Sequence, residues 1–286
     1  MITETPSATW PWPTYAKATL ACHAGAAAAV LAMPSQWPWA LGAVAANHAL
    51  LTGAGLWPRS TWLGSNWTHL PAAATARGEI AITIDDGPDA EVTPAVLDIL
   101  DGHGVSATFF CIAAAAAREP GLCREIARRG HRVENHSDRH SNAFSLLGPQ
   151  AMQREVAAAQ QRLGDITGSA PRFFRAPAGL RNPFLAPVLQ RLDLQLVSWT
   201  RRGFDTLRRS PADVLARLSK GLAGGDILLL HDGNAARVDG RPLVLSVLPD
   251  LLSLAAAAGL RPVTLAAASA ASAASAASAA SVAPRP

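Results

Sequence analysis

Strand-like and helix-like segments alternate along residues 79–265, and this alternation constrains the fold more than any other feature of the sequence. Short apolar runs of strand length are interleaved with longer segments that have helical apolar spacing. The strand-like runs are Glu79–Ile84, Ala107–Cys111, His131–Asn135, Arg172–Arg175, Leu194–Thr200 and Asp226–Leu230. The helical segments are Val92–Leu100, Pro120–Arg129, Met152–Leu163, Ala186–Leu192, Pro211–Leu222 and Leu243–Leu254. Repeated strand–helix units predict an α/β fold with parallel strands and helices outside, and at this length a closed or nearly closed barrel.

Titratable side chains follow the ends of these predicted strands. In parallel α/β barrels the chemistry lies at the carboxyl ends of the strands, so side chains at those ends share one rim. The residues at these positions are Asp85, Asp86, His136, His140, Arg175, Asp205 and His231. We therefore expect these residues, which are far apart in the sequence, to form one site.

Two histidines and one carboxylate of this set have the composition of a catalytic zinc site, which leaves one position open for water. The spacing of His136 and His140 predicts two imidazoles on one face of a helical turn. A second carboxylate beside the ligand can accept a proton from the water, and another histidine can protonate the leaving group. Metal-assisted amide hydrolysis requires these parts. An acidic pair alone, Asp85 and Asp86, also suits a magnesium site for phosphoryl transfer.

Five sequence motifs in this region resemble those of one enzyme family. In chain order they are Thr83–Pro88, Ala107–Phe110, His136–His140, Phe174–Gly179 and Ile227–His231. Together they resemble the motifs of the polysaccharide deacetylases, the NodB-like domain of carbohydrate esterase family 4. The resemblance covers residues 79–265 and implies a distorted (β/α)7 barrel.

The resemblance also implies roles for the metal site and its neighbours. Asp86, His136 and His140 would hold the metal, which we expect to be zinc, with other divalent transition metals as alternatives. Asp85 would be the general base. His231 would be the acid that protonates the departing amine.

Three further residues receive roles from the same motifs. Arg175 would pair with the base. The backbone N–H of Ala178 would bind the oxyanion together with the metal. The family often has an aromatic residue at that position, so alanine leaves a more open groove. Asp205 would orient His231, with a helix cap or an ion pair with arginine as its alternative roles.

The N-terminal region lacks charge over a long stretch. After a tail of residues 1–17, no Asp, Glu, Lys or Arg occurs in residues 18–58, where tryptophans flank the apolar runs Ala18–Met33 and Trp39–Trp57. This pattern predicts a membrane-anchoring transmembrane hairpin or a single transmembrane helix. A cleaved signal peptide and a soluble hairpin are the alternatives. Residues 266–286 repeat Ala-Ala-Ser and are predicted to form a disordered or weakly helical tail.

Basic residues flank the outer ends of these apolar runs. By the positive-inside rule, Lys17, Arg59 and Arg77 place both ends of a spanning hairpin, and so the catalytic domain, on the cytoplasmic side of the inner membrane. A single span over Trp39–Trp57 would instead allow a periplasmic domain. The net charge of +4 comes from scattered basic residues, so we expect no nucleic-acid partner.

These observations predict a metal-dependent hydrolase that removes the N-acyl (acetyl) group from amino sugars. Its partners would be an N-acetylated glycan or glycolipid and the membrane. One alternative is a magnesium-dependent phosphohydrolase, in which the three histidines would have no role. The other is a non-catalytic, membrane-attached glycan-binding module, which would lack the base or the acid.

Overall fold

A curled parallel sheet lies at the centre of the protein in the computed structural model, which describes residues 14–207 and 209–270. Along the chain the strands are β1 (Glu79–Asp85), β2 (Thr108–Cys111), β3 (Arg132–Asn135), β4 (Phe173–Phe174), β5 (Gln195–Leu196), β6 (Arg201–Arg202), β7 (Ile227–His231), β8 (Arg237–Val238), β9 (Arg241–Pro242) and β10 (Arg261–Pro262). Across the sheet the order is β5-β4-β3-β2-β1-β7-β6, and β10 pairs with the start of β1. Strands β8 and β9 form a separate antiparallel pair.

Helices connect the strands in the predicted alternation. They are α1 (Thr14–Ala32), α2 (Trp37–Leu56), α3 (Ala72–Ala76), α4 (Thr93–Gly102), α5 (Ala113–Arg118), α6 (Pro120–Arg128), α7 (Pro149–Thr167), α8 (Leu185–Arg191), α9 (Pro211–Ser219) and α10 (Leu243–Ala257). The longer elements agree with the predicted segments to within a few residues. Helices α3 and α5 and strands β6 and β8–β10 have no predicted counterpart, because segments this short carry no readable periodicity.

The first strand forms the centre of the core, because all seven of its residues are buried. Ile82 and Ile84 belong to one apolar cluster with Phe109 of β2 and Leu230 of β7. Apolar side chains of α4 and α10 complete the same cluster. A strand buried on both faces reads as a continuous apolar run, and this explains why β1 could be predicted from sequence. The core therefore fixes the carboxyl end of β1, where Asp85 lies.

The sheet is a curled half-barrel, which is consistent with the predicted distorted (β/α)7 barrel, and in the part of the chain that the structure describes the edge strands β5 and β6 do not pair with each other. The predicted strand Leu194–Thr200 is reduced to the two residues of β5. After β5, Val197 forms an isolated bridge with Trp67, and the Ser198 N–H donates to the Trp67 carbonyl at 2.8 Å. Trp67, which precedes β1 in the chain, thus forms hydrogen bonds with the backbone of Leu196 and Ser198 at this edge of the sheet. The order of strands and helices remains consistent with the (β/α)7 class.

Helices α1 and α2 form a hairpin over the two apolar runs, joined by a short 3₁₀ turn. Within residues 14–207 and 209–270, no helix is both long and apolar enough to cross a membrane. The predicted transmembrane helices are therefore not supported. Alanine and glycine, which favour insertion far less than leucine does, make up much of both helices. The side of a membrane on which the catalytic domain lies stays a prediction.

The hairpin is attached to the rest of the protein by backbone contacts near Arg181. The Arg181 N–H donates to the Gly55 carbonyl at 3.1 Å, and the Tyr15 hydroxyl donates to the Pro183 carbonyl at 2.6 Å. A Cβ atom at Gly55 would lie 2.2 Å from the Arg181 carbonyl oxygen, so only glycine allows this close approach. Both ends of the hairpin are thus held against the domain.

The packed domain continues slightly past the predicted boundary at residue 265. Residues 265–270 are helical, and Ala268 is buried in a cluster with Phe110 and Phe173. The rest of the predicted Ala/Ser tail, residues 271–286, lies outside the described residues, as do residues 1–13 of the predicted N-terminal tail.

Candidate active site

The structure brings Asp86, His136 and His140 together at the carboxyl edge of the sheet. Asp86 directly follows β1, and its φ of 75° turns the chain out of the sheet. His136 follows β3, and His140 lies four residues later in an irregular loop. Ser137 and His140 have φ values of 67° and 51°, so the predicted helical turn is wrong. The loop is held instead by Asn135 Oδ1, which accepts from the Ser137 N–H at 2.9 Å.

The geometry of this cluster fits a metal cation. One ligand atom from each of the three residues lies within 4.8 Å of the other two. The Nε2 atoms of His136 and His140 each lie 3.2 Å from Asp86 Oδ1, a buried oxygen without a hydrogen-bond partner. His136 Nδ1 lies 2.8 Å from the Arg175 carbonyl, which can only accept, so a neutral ring directs the Nε2 lone pair at the carboxylate. Converging lone pairs of this kind fit a bound cation, and the backbone bond is typical of metal-ligating histidines.

The electrostatics of the cluster keep Asp86 ionised. Burial raises the pKa of Asp86, but the nearby imidazoles of His136, His231 and His140 hold it below its ordinary value. Burial and the charge of His136 lower the pKa of His140, whereas the carboxylates of Asp85 and Asp86 outweigh burial and raise the pKa of His136. A metal that binds to His136 therefore competes with a proton for this ring.

Asp85 and Arg175 form a buried ion pair next to the cluster. Arg175 Nη1 donates to Asp85 Oδ1 at 2.6 Å and to Thr83 Oγ1 at 2.8 Å, and Nη2 donates to the Ser198 carbonyl at 2.9 Å. The second oxygen, Asp85 Oδ2, lies 3.7 Å from His136 Nε2. Arg175 therefore fixes one carboxylate oxygen, while the other faces the cluster.

His231 and Asp205 form a second buried pair at the same edge. His231 Nδ1 and its backbone N–H each lie 2.8 Å from an oxygen of Asp205, which is fully buried. The pairing of β1 with β7 sets His231 opposite Asp85. Burial lowers the pKa of His231, but the hydrogen bond and charge of Asp205 outweigh it and raise the pKa above its ordinary value. Asp205 thus contacts His231 as the sequence suggested.

Comparisons with known proteins identify the family of this chain. Residues 72–197 match the sequence profile described as polysaccharide deacetylase. Over 164 residues the chain is 33% identical to the peptidoglycan-N-acetylglucosamine deacetylase PgdA of Listeria monocytogenes, covering 57% of this chain and 34% of that enzyme. It is 34% identical over 158 residues to a chitooligosaccharide deacetylase of Azorhizobium caulinodans, covering 55% of this chain and 75% of the relative.

The chain belongs to the polysaccharide deacetylase family.

A solved structure supports the fold assignment. The family 4 carbohydrate esterase from Streptomyces lividans, determined in complex with acetate, superposes with a TM-score of 0.59 at 30% identity. The match covers 65% of this chain and 91% of that one. The polysaccharide deacetylase domain thus accounts for most of the esterase, whereas this chain spans about a third of the length of the Listeria enzyme.

Ala178 lies in the segment whose Arg175 carbonyl contacts the His136 ring. It occupies the 3₁₀ turn Pro177–Gly179, three residues after the Arg175 carbonyl that bonds the His136 ring. Ala178 is exposed and has a φ of 55°. An alanine in this left-handed conformation leaves the surface beside the turn open, and its predicted oxyanion role stays a prediction.

Asp232 is a buried residue of the site to which the sequence assigned no chemical role, since its position after a strand also suits a turn residue. Its Oδ2 accepts from Thr93 Oγ1 at 2.5 Å, and its Oδ1 accepts from the Gly233 N–H at 2.9 Å. Burial raises the pKa of this carboxyl to about 7. A Cβ atom at Gly87 would lie 2.4 Å from both Asp232 oxygens. The sequence signal that could have identified it is the Asp-Gly pair that follows both β1 and β7.

We expect the Asp205→Asn variant to lose activity at lower pH than the wild type. A general acid works only while protonated, so activity falls as the pH rises through its pKa. Asparagine removes the charge that raises the pKa of His231, and the alkaline limb of kcat/KM against pH therefore moves to lower pH. Asp213→Asn, at an exposed position on α9, is the control. An alkaline limb unchanged in Asp205→Asn would exclude His231 as an acid tuned by Asp205.

We expect Gly233→Ala to lower deacetylase activity by about 10²-fold, the effect of misplacing a catalytic group by about 1 Å. A Cβ atom at this position would lie 2.3 Å from the Asp86 carbonyl oxygen, so the Asp86 backbone must move. Gly102→Ala is the control, because its Cβ would meet open space. Both variants are compared in steady-state kinetics and thermal unfolding. Equal activity of the Gly233→Ala and Gly102→Ala variants would show that displacement of the Asp86 backbone does not affect catalysis.

Proposed function

We propose that this protein is a metal-dependent N-deacetylase that releases acetate from N-acetylated amino sugars of a glycan. One observation carries the proposal: the Asp86, His136 and His140 cluster shares its edge of the sheet with a carboxylate, Asp85, and an imidazole, His231. These groups match the three requirements of amide hydrolysis by water: an electrophile, a base and an acid.

Asp86, His136 and His140 would hold the metal, for which zinc suits two imidazoles and one carboxylate best. When bound, it supplies Lewis acidity toward the amide carbonyl and the attacking water. Asp85 then accepts the proton of that water through Oδ2, the oxygen that Arg175 does not hold. The ion pair with Arg175 keeps this carboxylate charged and in one orientation.

His231 completes the hydrolysis by donating a proton to the leaving amine. Asp205 holds Nδ1–H of the ring, so Nε2 is the atom that carries and delivers this proton. The paired carboxylate stabilises the imidazolium in the same way that a buried aspartate supports a catalytic histidine in hydrolytic triads. The bond between the carbonyl carbon and the nitrogen breaks as the nitrogen accepts this proton, which gives the neutral amine and acetic acid. The acid loses its proton to the amine or to solvent to become acetate, and the proton on Asp85 returns to His231 through solvent.

The substrate that we propose contains N-acetylglucosamine or a related amino sugar. The relatives in Listeria and Azorhizobium are deacetylases of peptidoglycan N-acetylglucosamine and of chitooligosaccharides. The exposed Ala178 turn favours a groove that accepts a branched or lipid-linked glycan as well as a linear one. The two alternative functions have less support, because a phosphohydrolase leaves His231 and Asp205 without a role, and a silent binding module has no need of the Asp85–Arg175 pair.

A substrate panel tests this proposal. The protein, loaded with zinc, is incubated with N-acetylglucosamine oligomers, peptidoglycan and an N-acetylated glycolipid, and released acetate is quantified. A phosphomonoester with magnesium serves as the comparison substrate. We expect acetate from at least one glycan and no phosphate. Phosphate release without acetate would favour the phosphohydrolase, and binding of glycans without either product would favour the binding module.

A further inference from the structure

Two histidines face each other in the N-terminal hairpin, away from the candidate active site. His23 of α1 and His48 of α2 approach with their Nε2 atoms 3.3 Å apart. Their ring centroids are 5.2 Å apart, which is longer than the distance between the two Nε2 atoms. The rings therefore approach each other through these nitrogens. Two imidazole nitrogens bound at about 2.0–2.1 Å to one tetrahedral cation lie about 3.3 Å apart, which is the separation observed here.

The orientation of the His23 ring is fixed by its own helix. His23 Nδ1 lies 2.8 Å from the Thr19 carbonyl oxygen, which can only accept a hydrogen bond. Nδ1 therefore carries the proton, and Nε2 of the neutral ring directs a lone pair at His48. A backbone carbonyl that holds the second ring nitrogen is the usual outer contact of a metal-bound histidine.

The surroundings of the pair leave it available to a ligand. No acidic or basic residue occurs between Ala18 and Pro58, so neither histidine has a carboxylate partner within the hairpin. His48 is exposed and His23 is half-buried, so an ion from solvent can reach the nitrogens. The two titratable rings therefore converge within residues 18–58, a stretch without Asp, Glu, Lys or Arg.

We propose that His23 and His48 form a second metal site, which binds a divalent transition metal cation and thereby links α1 to α2. Among the divalent first-row transition metal ions, copper binds most strongly to a given site, and zinc and nickel also bind imidazole ligands. Two protein nitrogens leave the other coordination positions to water or to groups of another molecule. The site is separate from the Asp86, His136 and His140 cluster and does not depend on the proposed deacetylation.

The experiment uses a variant in which the other cluster is removed. In the full chain without an affinity tag, His136→Ala and His140→Ala are combined, and Cu²⁺ alone is added as the probe. Equilibrium dialysis gives the bound equivalents, and electron paramagnetic resonance counts the nitrogen ligands. We expect one equivalent of copper with two nitrogens. Adding His48→Ala or His23→Gln should weaken binding by at least about tenfold, the smallest effect typical of even an outer-shell partner.

His103→Ala is the matched control in the same background. The His103 ring has the same bond to its own helix, with Nδ1 2.8 Å from the Ile99 carbonyl, but no second imidazole contacts it within residues 14–207 and 209–270. This substitution should leave copper binding unchanged. Circular dichroism checks that the hairpin variants keep their helices. Absence of copper binding in the double variant, or binding that survives both hairpin substitutions, would show that the pair is only a hydrogen bond between two neutral rings.

Discussion

The Asp85→Asn variant is expected to deacetylate N-acetylglucosamine oligomers about 10²–10⁴-fold more slowly than the wild type while it still binds metal. Asparagine keeps the shape of the side chain but cannot accept the proton of the attacking water. It also leaves the Arg175 guanidinium, which is buried among Asp85, Thr83 and the Ser198 carbonyl, without its counter-charge. Steady-state kinetics with metal analysis of the same samples measures both effects.

The control for this variant is Asp98→Asn, on the exposed face of α4. Asp98 also pairs with an arginine, Arg129, at 2.7 Å, but its side chain is 70% exposed, and such surface pairs contribute little. We expect wild-type turnover from the control. An Asp85→Asn enzyme with normal turnover would contradict the assignment of Asp85 as the base.

The second large effect is expected from His136→Ala, which should remove both the metal and the activity. The His136 imidazole lies between the Asp86 carboxylate and the Arg175 carbonyl, so its loss opens the cluster and leaves Asp86 and His140 as the remaining ligands. We expect less than one equivalent of zinc after dialysis and no acetate release above background. Plasma emission analysis and the acetate assay on one preparation test the two parts together.

His69→Ala is the control for nonspecific loss of zinc. His69 is exposed, and its Nδ1 lies 3.2 Å from the hydroxyl of the neighbouring Thr68. This variant should keep one equivalent of zinc in the active site and full activity. If His136→Ala retained stoichiometric zinc and normal turnover, the metal site would have to lie elsewhere.

The parts of the fold that could be predicted from the sequence are those with a long apolar pattern. Strands β1 and β7 are buried along their whole length, and the continuous apolar runs Glu79–Ile84 and Asp226–Leu230 predict them. Helix α7 was equally plain from its spacing. Because these strands are parallel, their order alone places Asp85, Asp86 and His231 at one edge.

Other parts depended on contacts that no local pattern contains. The edge of the half-barrel after β5 pairs with Trp67, which is far from β5 in the sequence and forms a bridge with Val197 and a hydrogen bond with Ser198. The His136 to His140 segment is a loop rather than a helical turn, because side-chain caps from Asn135 and Ser137 replace helical hydrogen bonds. Tertiary hydrogen bonds in the first case, and local side-chain to backbone hydrogen bonds in the second, outweigh the preference that the spacing suggested.

Asp232 shows why a candidate site read from sequence is incomplete. Next to His231, it looks like an ordinary turn residue, and only the structure shows that it is buried against Gly87 and bonded to Thr93. Asp205 illustrates the opposite case. The sequence left a helix cap and an ion pair with arginine as alternative roles for this residue, yet its carboxylate accepts two hydrogen bonds from His231.

We propose that this chain hydrolyses the acetamide of an amino sugar with the help of a metal held by Asp86, His136 and His140. The most direct test follows acetate and new free amines together in the wild-type protein, first after chelation and then after addition of zinc. We expect both products in equal amounts with zinc and neither product after chelation. Equal rates in the chelated and zinc-loaded protein, or the absence of acetate from every N-acetylated glycan, would contradict the account.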